Sequence, residues 1–362
     1  MFIRNAWYVA ATSAECVTER PLGRTLLGEK VVLFRTPEGE AAALEDRCCH
    51  RLAPLSLGDV EEGGLRCRYH GMKFAPSGQC VEIPGQKEVP PAMCVRSFPV
   101  VERHGFLWIW LGDPRLANPA QIVDCHWNGA PGWPTASGYI HYRANYQLIA
   151  DNLLDFSHLT FVHRTTLANA AFPNARPEVV PFDSGVRLYR QILDCEPSPL
   201  HRMAGRFSGR VDFWNRQVWW LPSVFENWAG SAVAGGEGPP HERPGALHFR
   251  HFSLLTPETE TSTHYFWIHP CEFPDGDASL IGAVGEGIRV AFEEDRWIIE
   301  AQQAVMDRSP GVKPKGLASD VALNRIRRMI AQRIEEESDT GRAVIPRVEP
   351  AAGPASPRHY PS

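Results

Sequence analysis

Two cysteine–histidine pairs near the front of the chain carry its clearest chemistry. Cys48 and His50 lie in DRCCHRLAPLSLG, and Cys67 and His70 lie in LRCRYHGMKFAPSG, with 16 residues between the pairs. Each half offers one thiolate and one imidazole. A [2Fe–2S] cluster with two chemically different irons needs that set, two Cys on one iron and two His on the other. A structural zinc knot is the competing reading, but such sites draw paired ligands from C-x₂₋₄-C and H-x₃₋₅-H units. A single residue between Cys48 and His50 is tight for two ligands on one tetrahedral ion. Cys49 is read as a non-ligand, because ligating it would displace the Cys-x-His register.

The mixed ligand set is that of a Rieske centre, which moves single electrons. Gly58, Gly63, Gly64, Gly71 and Gly78 can supply the positive-φ turns that two ligand loops need, and Pro54 and Pro76 stiffen them.

A second constellation sits in ADNLLDFSHLTFVHRTT, where four residues separate His158 from His163 and Asp155 and Asn152 precede them at 3-residue steps. On an ideal helix Asp155 and His158 lie about 60° apart, whereas His158 and His163 lie about 140° apart. Both histidines cannot reach one ion from a regular helix, so the helix is predicted to end or bulge between them. The third ligand is placed at Asp295 in AFEEDRWIIEAQQ, with Glu293 and Glu294 as alternatives. Asp151 is the alternative to Asp155 as the carboxylate beside the histidines. Two His and one carboxylate form the facial triad of non-haem Fe(II) oxygenases. An electron-transfer centre upstream would supply such a site.

These residues need rigid elements to position them. The fold class is read as α+β, a β-rich Rieske domain followed by a catalytic domain whose antiparallel sheet is flanked by helices. Residues 1–112 are read as mostly β, from VVLFR, AAALED, VRSFPVV and GFLWIWLG separated by turn residues. Residues 113–135 carry four prolines and are read as a connector. Residues 136–338 form the second domain, with strands at VRLYRQIL, VDFWNRQVWWLP, ALHFRHFSLL and THYFWIH and a hairpin turn at TPETETS. Helices are predicted over about Asp277–Asp307 and Ser319–Glu337; Leu323, Ile326, Ile330 and Ile334 give the latter a 3- and 4-residue apolar stripe. Residues 339–362, rich in Pro and Ala, are expected to be disordered.

A chain of 362 residues should form two domains. A net charge of -5 with mixed signs argues against nucleic acid as the main partner. Nine scattered cysteines argue against a secreted disulfide framework and fit the cytoplasm. No signal peptide is expected, and no apolar run approaches the ~20 residues of a membrane span. No Gly-x-Gly-x-x-Gly follows a predicted strand, so the electrons must come from elsewhere.

The chain resembles a Rieske non-haem iron oxygenase α-subunit from Met1 to about residue 335. Both ligand motifs match, and FEED with Asp295 is similar to the family's third-ligand segment. NAWYVA, APLSLG, YHG, IPGQ, ERHGFLWIWLGDP, DNLLDFSH and LTPETETSTHYFW resemble the vanillate O-demethylase and toluenesulfonate methyl-monooxygenase branch. Met72 stands where many relatives carry Trp. The resemblance implies a [2Fe–2S] Rieske cluster, a mononuclear Fe(II), and NAD(P)H electrons arriving through a separate flavin/iron–sulfur reductase. It further implies a head-to-tail homotrimer in which Asp155 touches His158 within its subunit and His70 of the next. The implied reaction uses O₂ to O-demethylate or methyl-hydroxylate a small aromatic acid; N-demethylation of a methylammonium compound or heterocycle is the alternative. An electron carrier or zinc-stabilised binding module is the non-enzymatic one.

The reductase is expected to dock near Arg51, Arg66, Arg68 and Lys73, unless those charges are simply solvated. Trp267 and Phe292 are expected near the substrate ring. His251 and Ser253 alternate onto one strand face as candidate donors, or as ordinary sheet residues.

Overall fold

The computed structural model describes residues 1–168, 171–172 and 175–340. Two compact units emerge. The first is Met1–Ile122 with Thr256–Glu260 and the end of the last helix from Arg333; the second is Val123–Leu255 with Thr261–Gln332.

The first unit is built from three small sheets. One pairs Trp7–Thr12 with Phe106–Trp110 and then Val100–Arg103. Another runs Leu22–Leu26, Glu29–Arg35, Ala41–Glu45 and Ser97–Phe98. The third runs Asp59–Glu61, Gly64–Arg66, Lys73–Phe74 and Cys80–Glu82. The two ligand loops leave from the last two sheets. Beneath them Val32, Phe34, Leu44, Leu55, Leu65, Met72 and Phe74 form one apolar cluster that includes Cys48 and Cys67. Met72 is therefore a buried wall beside both thiols.

The second unit is a seven-stranded sheet in the order Thr135–Tyr142, Ser262–Glu272, Leu247–Thr259, Val224–Val233, Val211–Trp220, Gly185–Cys195 and Glu178–Phe182. Its pairings are antiparallel. Sequence reading missed Val224–Val233, whose small and polar residues dilute the strand signal, and Glu178–Phe182, a five-residue edge strand interrupted by Pro181. The hairpin turn is tighter than predicted. The Leu247–Thr259 strand carries TPET within it, and only Glu260 and Thr261 turn. The Pro257 and Glu258 carbonyls accept from Leu27 and Gly28 N–H at 2.8 Å, which keeps that stretch extended.

Five α-helices complete the described chain: α1 (Tyr146–Leu154), α2 (Leu159–Val162), α3 (Pro199–Ala204), α4 (Ile281–Arg308) and α5 (Val321–Thr340). The two long helices predicted over about Asp277–Asp307 and Ser319–Glu337 correspond to α4 and α5. A short 3₁₀ turn over Ala278–Leu280, capped by Asp277, precedes α4. Val284, Ile288, Ala291, Phe292, Asp295 and Ile299 form the buried stripe of α4, at the spacing one helix face requires. The tail predicted after Ser338 lies, from 341 onward, outside the described residues. No helix is long and apolar enough to cross a membrane among the described residues.

Candidate metal centres

In the first unit the two ligand loops share one backbone design. Cys48 N–H donates to Ala53 O and Cys67 N–H to Met72 O, each at 2.8 Å. Leu52 N–H and Gly71 N–H donate back to the Cys48 and Cys67 carbonyls at 3.0 and 2.9 Å. The turn residue in each loop is left-handed, Leu52 at φ 59° and Gly71 at φ 73°. Gly58 differs from the sequence expectation. Its φ is −84°, and it is small because a Cβ there would meet Arg66 O at 2.2 Å.

Cys48 and Cys67 are buried, while His50 and His70 are exposed with ring centroids 4.5 Å apart. Burial pushes the Cys48 thiol up to about 11, and the neighbouring Cys67 adds to the shift. Two buried sulfurs facing two adjacent imidazoles suit a positively charged dinuclear centre. The donor set therefore fits a [2Fe–2S] cluster, which the two Cys and the two His would hold one pair per iron. The basic residues nearby are not a bare patch. Arg66 pairs with Glu61 and Glu82, Lys73 with Glu82, and Arg68 with Asp59, which leaves Arg51 as the exposed member without an ion pair among the described residues. Neutralised charges steer a partner weakly, so the docking expectation loses its electrostatic basis.

In the second unit α1 starts at an Asn145 cap, buries Leu148, Ile149 and Leu153, and stops at Asp155. Gln217 closes its end by donating to Leu153 O at 3.1 Å. Asp155 has extended backbone (φ −122°, ψ 97°) and its carboxylate caps the 3₁₀ turn Phe156–His158 by accepting from Ser157 N–H. The helix therefore breaks first at Asp155, ahead of His158, and α2 then ends at His163. Asp155 consequently touches His158 through its backbone: the carbonyl accepts from His158 Nδ1 at 2.6 Å.

That bond leaves His158 Nε2 with its lone pair. His163 is oriented in the same way from another side, with Nδ1 donating to Glu294 Oε2 at 2.8 Å. Both Nε2 atoms converge on Asp295 Oδ1, His163 at 3.1 Å and His158 at 3.5 Å. These three donors lie within 4.8 Å of one another. Metal–ligand bonds of about 2.1 Å at right angles would place neighbouring donors about 3 Å apart, so the set fits one small ion. Asn152 Nδ2 donates to Asp295 Oδ1 at 2.9 Å and lies 3.4 Å from His158 Nε2.

Burial lowers the His158 pKa. Burial also opposes charge on His163, but Asp295 and Glu294 outweigh it and raise that imidazole. The alternatives fall elsewhere. Glu293 pairs with Arg296, and Asp151 pairs with Arg327.

One cavity, partly open to solvent, holds all three donors. Alternate residues of three strands form its floor, among them Phe213, Asn215, Phe225, Asn227, Phe249 and His251. His201 and His269 line it as well, and α4 contributes Ile288 and Phe292. Ser253 lies on the same face behind His251, and Trp267 packs behind Phe292 at 5.7 Å.

Residues 6–99 match the family described as Rieske [2Fe-2S] domain, and residues 142–336 match Vanillate O-demethylase oxygenase C-terminal domain. The chain belongs to the Rieske non-haem iron oxygenases. This Rieske oxygenase is 51% identical to a putative toluene-4-sulfonate monooxygenase system iron-sulfur subunit of Comamonas testosteroni, over 93% of this chain and 99% of the relative. It is 40% identical to the dicamba O-demethylase oxygenase component of Stenotrophomonas maltophilia, over 91% of this chain and 97% of that one. Its fold matches a crystal structure of dicamba monooxygenase with non-heme iron and dicamba at a TM-score of 0.78 and 37% identity, covering 93% and 99% of the two chains. The Rieske oxygenase is thus the oxygenase component of a monooxygenase system. It works with a Rieske cluster and a mononuclear iron.

Sequence reading treated Glu294 only as a rival ligand and did not single out His201, His269, Asn215 or Asn227. Period-2 alternation marks the Asn215 face once the strand is known. Nothing local marks Glu294.

Proposed function

We propose that this oxygenase inserts oxygen into a methyl or methoxy C–H bond of a small aromatic acid, vanillate- or toluenesulfonate-like. The observation that carries the reading is the cavity. Six phenylalanines line it, and among the described lining residues Asp295 is the single charged side chain. Neutral imidazoles and amides offer donors to an anionic substituent. No second carboxylate is present there to receive a methylammonium group.

In this reading Cys48, His50, Cys67 and His70 hold the cluster, and His158, His163 and Asp295 hold the mononuclear iron. When bound, the iron would supply O₂ activation and the cluster single-electron transfer. The chain does the rest. Glu294 and the Asp155 carbonyl fix each imidazole's tautomer so that Nε2 faces the ion site. Asn152 steadies Asp295. The apolar walls seat the ring and hold its methyl-bearing carbon beside the three donors. A hydroxylated methoxy group collapses to a phenol and formaldehyde; a hydroxylated ring methyl remains as an alcohol.

The functional assembly in this reading is a homotrimer, with Asp155 joining His158 to His70 of the next subunit. Exposed Leu52, Leu57 and Tyr69 beside the cluster histidines support a protein contact there. The domains are assigned as 1–112, a connector over 113–135, and 136–338. None of the nine cysteines forms a disulfide, which supports a cytoplasmic location.

The purified chain, a generic reductase and NAD(P)H are offered methoxy-aromatic acids, methyl-aromatic acids and methylated amines. Formaldehyde from the methoxy acids means ether cleavage, and benzylic alcohols mean methyl hydroxylation. Turnover confined to the amines overturns the reading.

A further inference from the structure

A chain of four buried side chains runs from behind the cavity to its wall. Tyr265 hydroxyl lies 2.7 Å from Ser253 Oγ, and Ser253 Oγ lies 2.9 Å from His251 Nε2. His251 Nδ1 then faces His269 Nδ1 at 3.1 Å. Both histidines line the cavity, and His269 Nε2 is buried with no partner. Burial pushes His251 down to about 3 and His269 down as well, so both rings are neutral.

A neutral imidazole has one donor and one acceptor, and that fixes the direction of the whole chain. Among the described residues the Tyr265 hydroxyl has Ser253 Oγ as its hydrogen-bond partner, so Tyr265 donates to Ser253. Ser253 then donates to His251 Nε2, which puts the His251 proton on Nδ1. That proton is donated to His269 Nδ1, and the His269 proton must sit on Nε2. Reversing the chain would strand a buried phenolic O–H without an acceptor, which is costly.

We propose that His269 Nε2–H is a fixed donor to an anionic oxygen, carboxylate or sulfonate, on the aromatic substrate. Tyr265, Ser253 and His251 are positioning residues that set its tautomer. This rests on the aromatic-acid reading and adds the group that recognises the acid.

Binding is measured on the iron-loaded, full-length protein without reductase. The probes are 4-methylbenzoate, toluene-4-sulfonate and, as the uncharged control, toluene. His269→Leu is expected to weaken both acids about 10–100-fold, the weight of a hydrogen bond to a charged group, while toluene changes less than about twofold. His269→Gln keeps an N–H donor and should recover most of the loss. Ser253→Ala frees the His251 tautomer and should weaken the acids alone, with Ser253→Thr restoring them; this pair carries the test if His269→Leu does not fold. Equal losses for acids and toluene, or wild-type acid binding in these variants, overturn the proposal. If the wild type binds toluene but neither acid, the aromatic-acid reading falls and takes this one with it.

Discussion

Glu294 and Asp295 are neighbours in sequence, yet they meet opposite nitrogens of one imidazole. His163 donates from Nδ1 to Glu294 at 2.8 Å, while its Nε2 lies 3.1 Å from Asp295. The carboxylate behind the ring fixes the tautomer that a metal needs in front of it. Successive residues on a helix diverge by about 100°, and His163 sits in the angle between these two.

Glu294 should therefore matter to the metal without touching it. Glu294→Ala is expected to lower mononuclear-iron affinity about 10–100-fold, and Glu294→Gln by less, because an acceptor remains. Iron retention against a graded chelator reads this out. Wild-type retention in both variants would remove the orienting role.

His158→Ala should empty the mononuclear site and leave the cluster. The expected result is loss of about one iron per chain with acid-labile sulfide and the visible Rieske bands unchanged. Loss of both centres together would contradict independent sites in the two units.

Asp155 holds His158 through its carbonyl, so changing its carboxylate spares that bond. Asp155→Asn should keep both metals and slow electron delivery at least about tenfold, the low end for lost hydrogen-bonded partners of metal ligands. Single-turnover reduction and reoxidation of the cluster measures it. A near-normal rate would eliminate the carboxylate as the junction between subunits.

Acid should destabilise the fold through its buried histidines. Burial depresses His201 and His248 to about 4 and His251 to about 3. Below the unfolded value near 6.5 the unfolded chain takes up protons that the folded one refuses. Stability is therefore full above that pH and falls as pH drops toward 3–4. Melting temperatures between about pH 7.5 and 5.5 should fall with more than one proton taken up on unfolding. A flat profile would show that these rings stay charged or solvated in the fold.

Much of this was legible in the sequence because the signals are local. Cys48-x-His50 and Cys67-x₂-His70 fix a mixed donor set by type and spacing alone. The α4 stripe could also have separated Asp295 from its rivals. Asp295 falls three residues after Phe292 and four before Ile299, on the buried face, while Glu293 is turned outward to Arg296. Helix α5 was equally plain, its apolar residues recurring at helical spacing.

The rest depended on contacts between distant residues. Where α1 stops was set by Asp155 capping the next turn and by Gln217 reaching in from another strand. The Val224–Val233 strand carries too few large apolar residues to announce itself and is held by its neighbours on both sides. Ligand types and helix faces were thus determined by the order of residues, since each needs only near neighbours. Which carboxylate backs His163, and which imidazole offers its proton to the cavity, was decided only when strands and helices far apart in the chain came within hydrogen-bond distance.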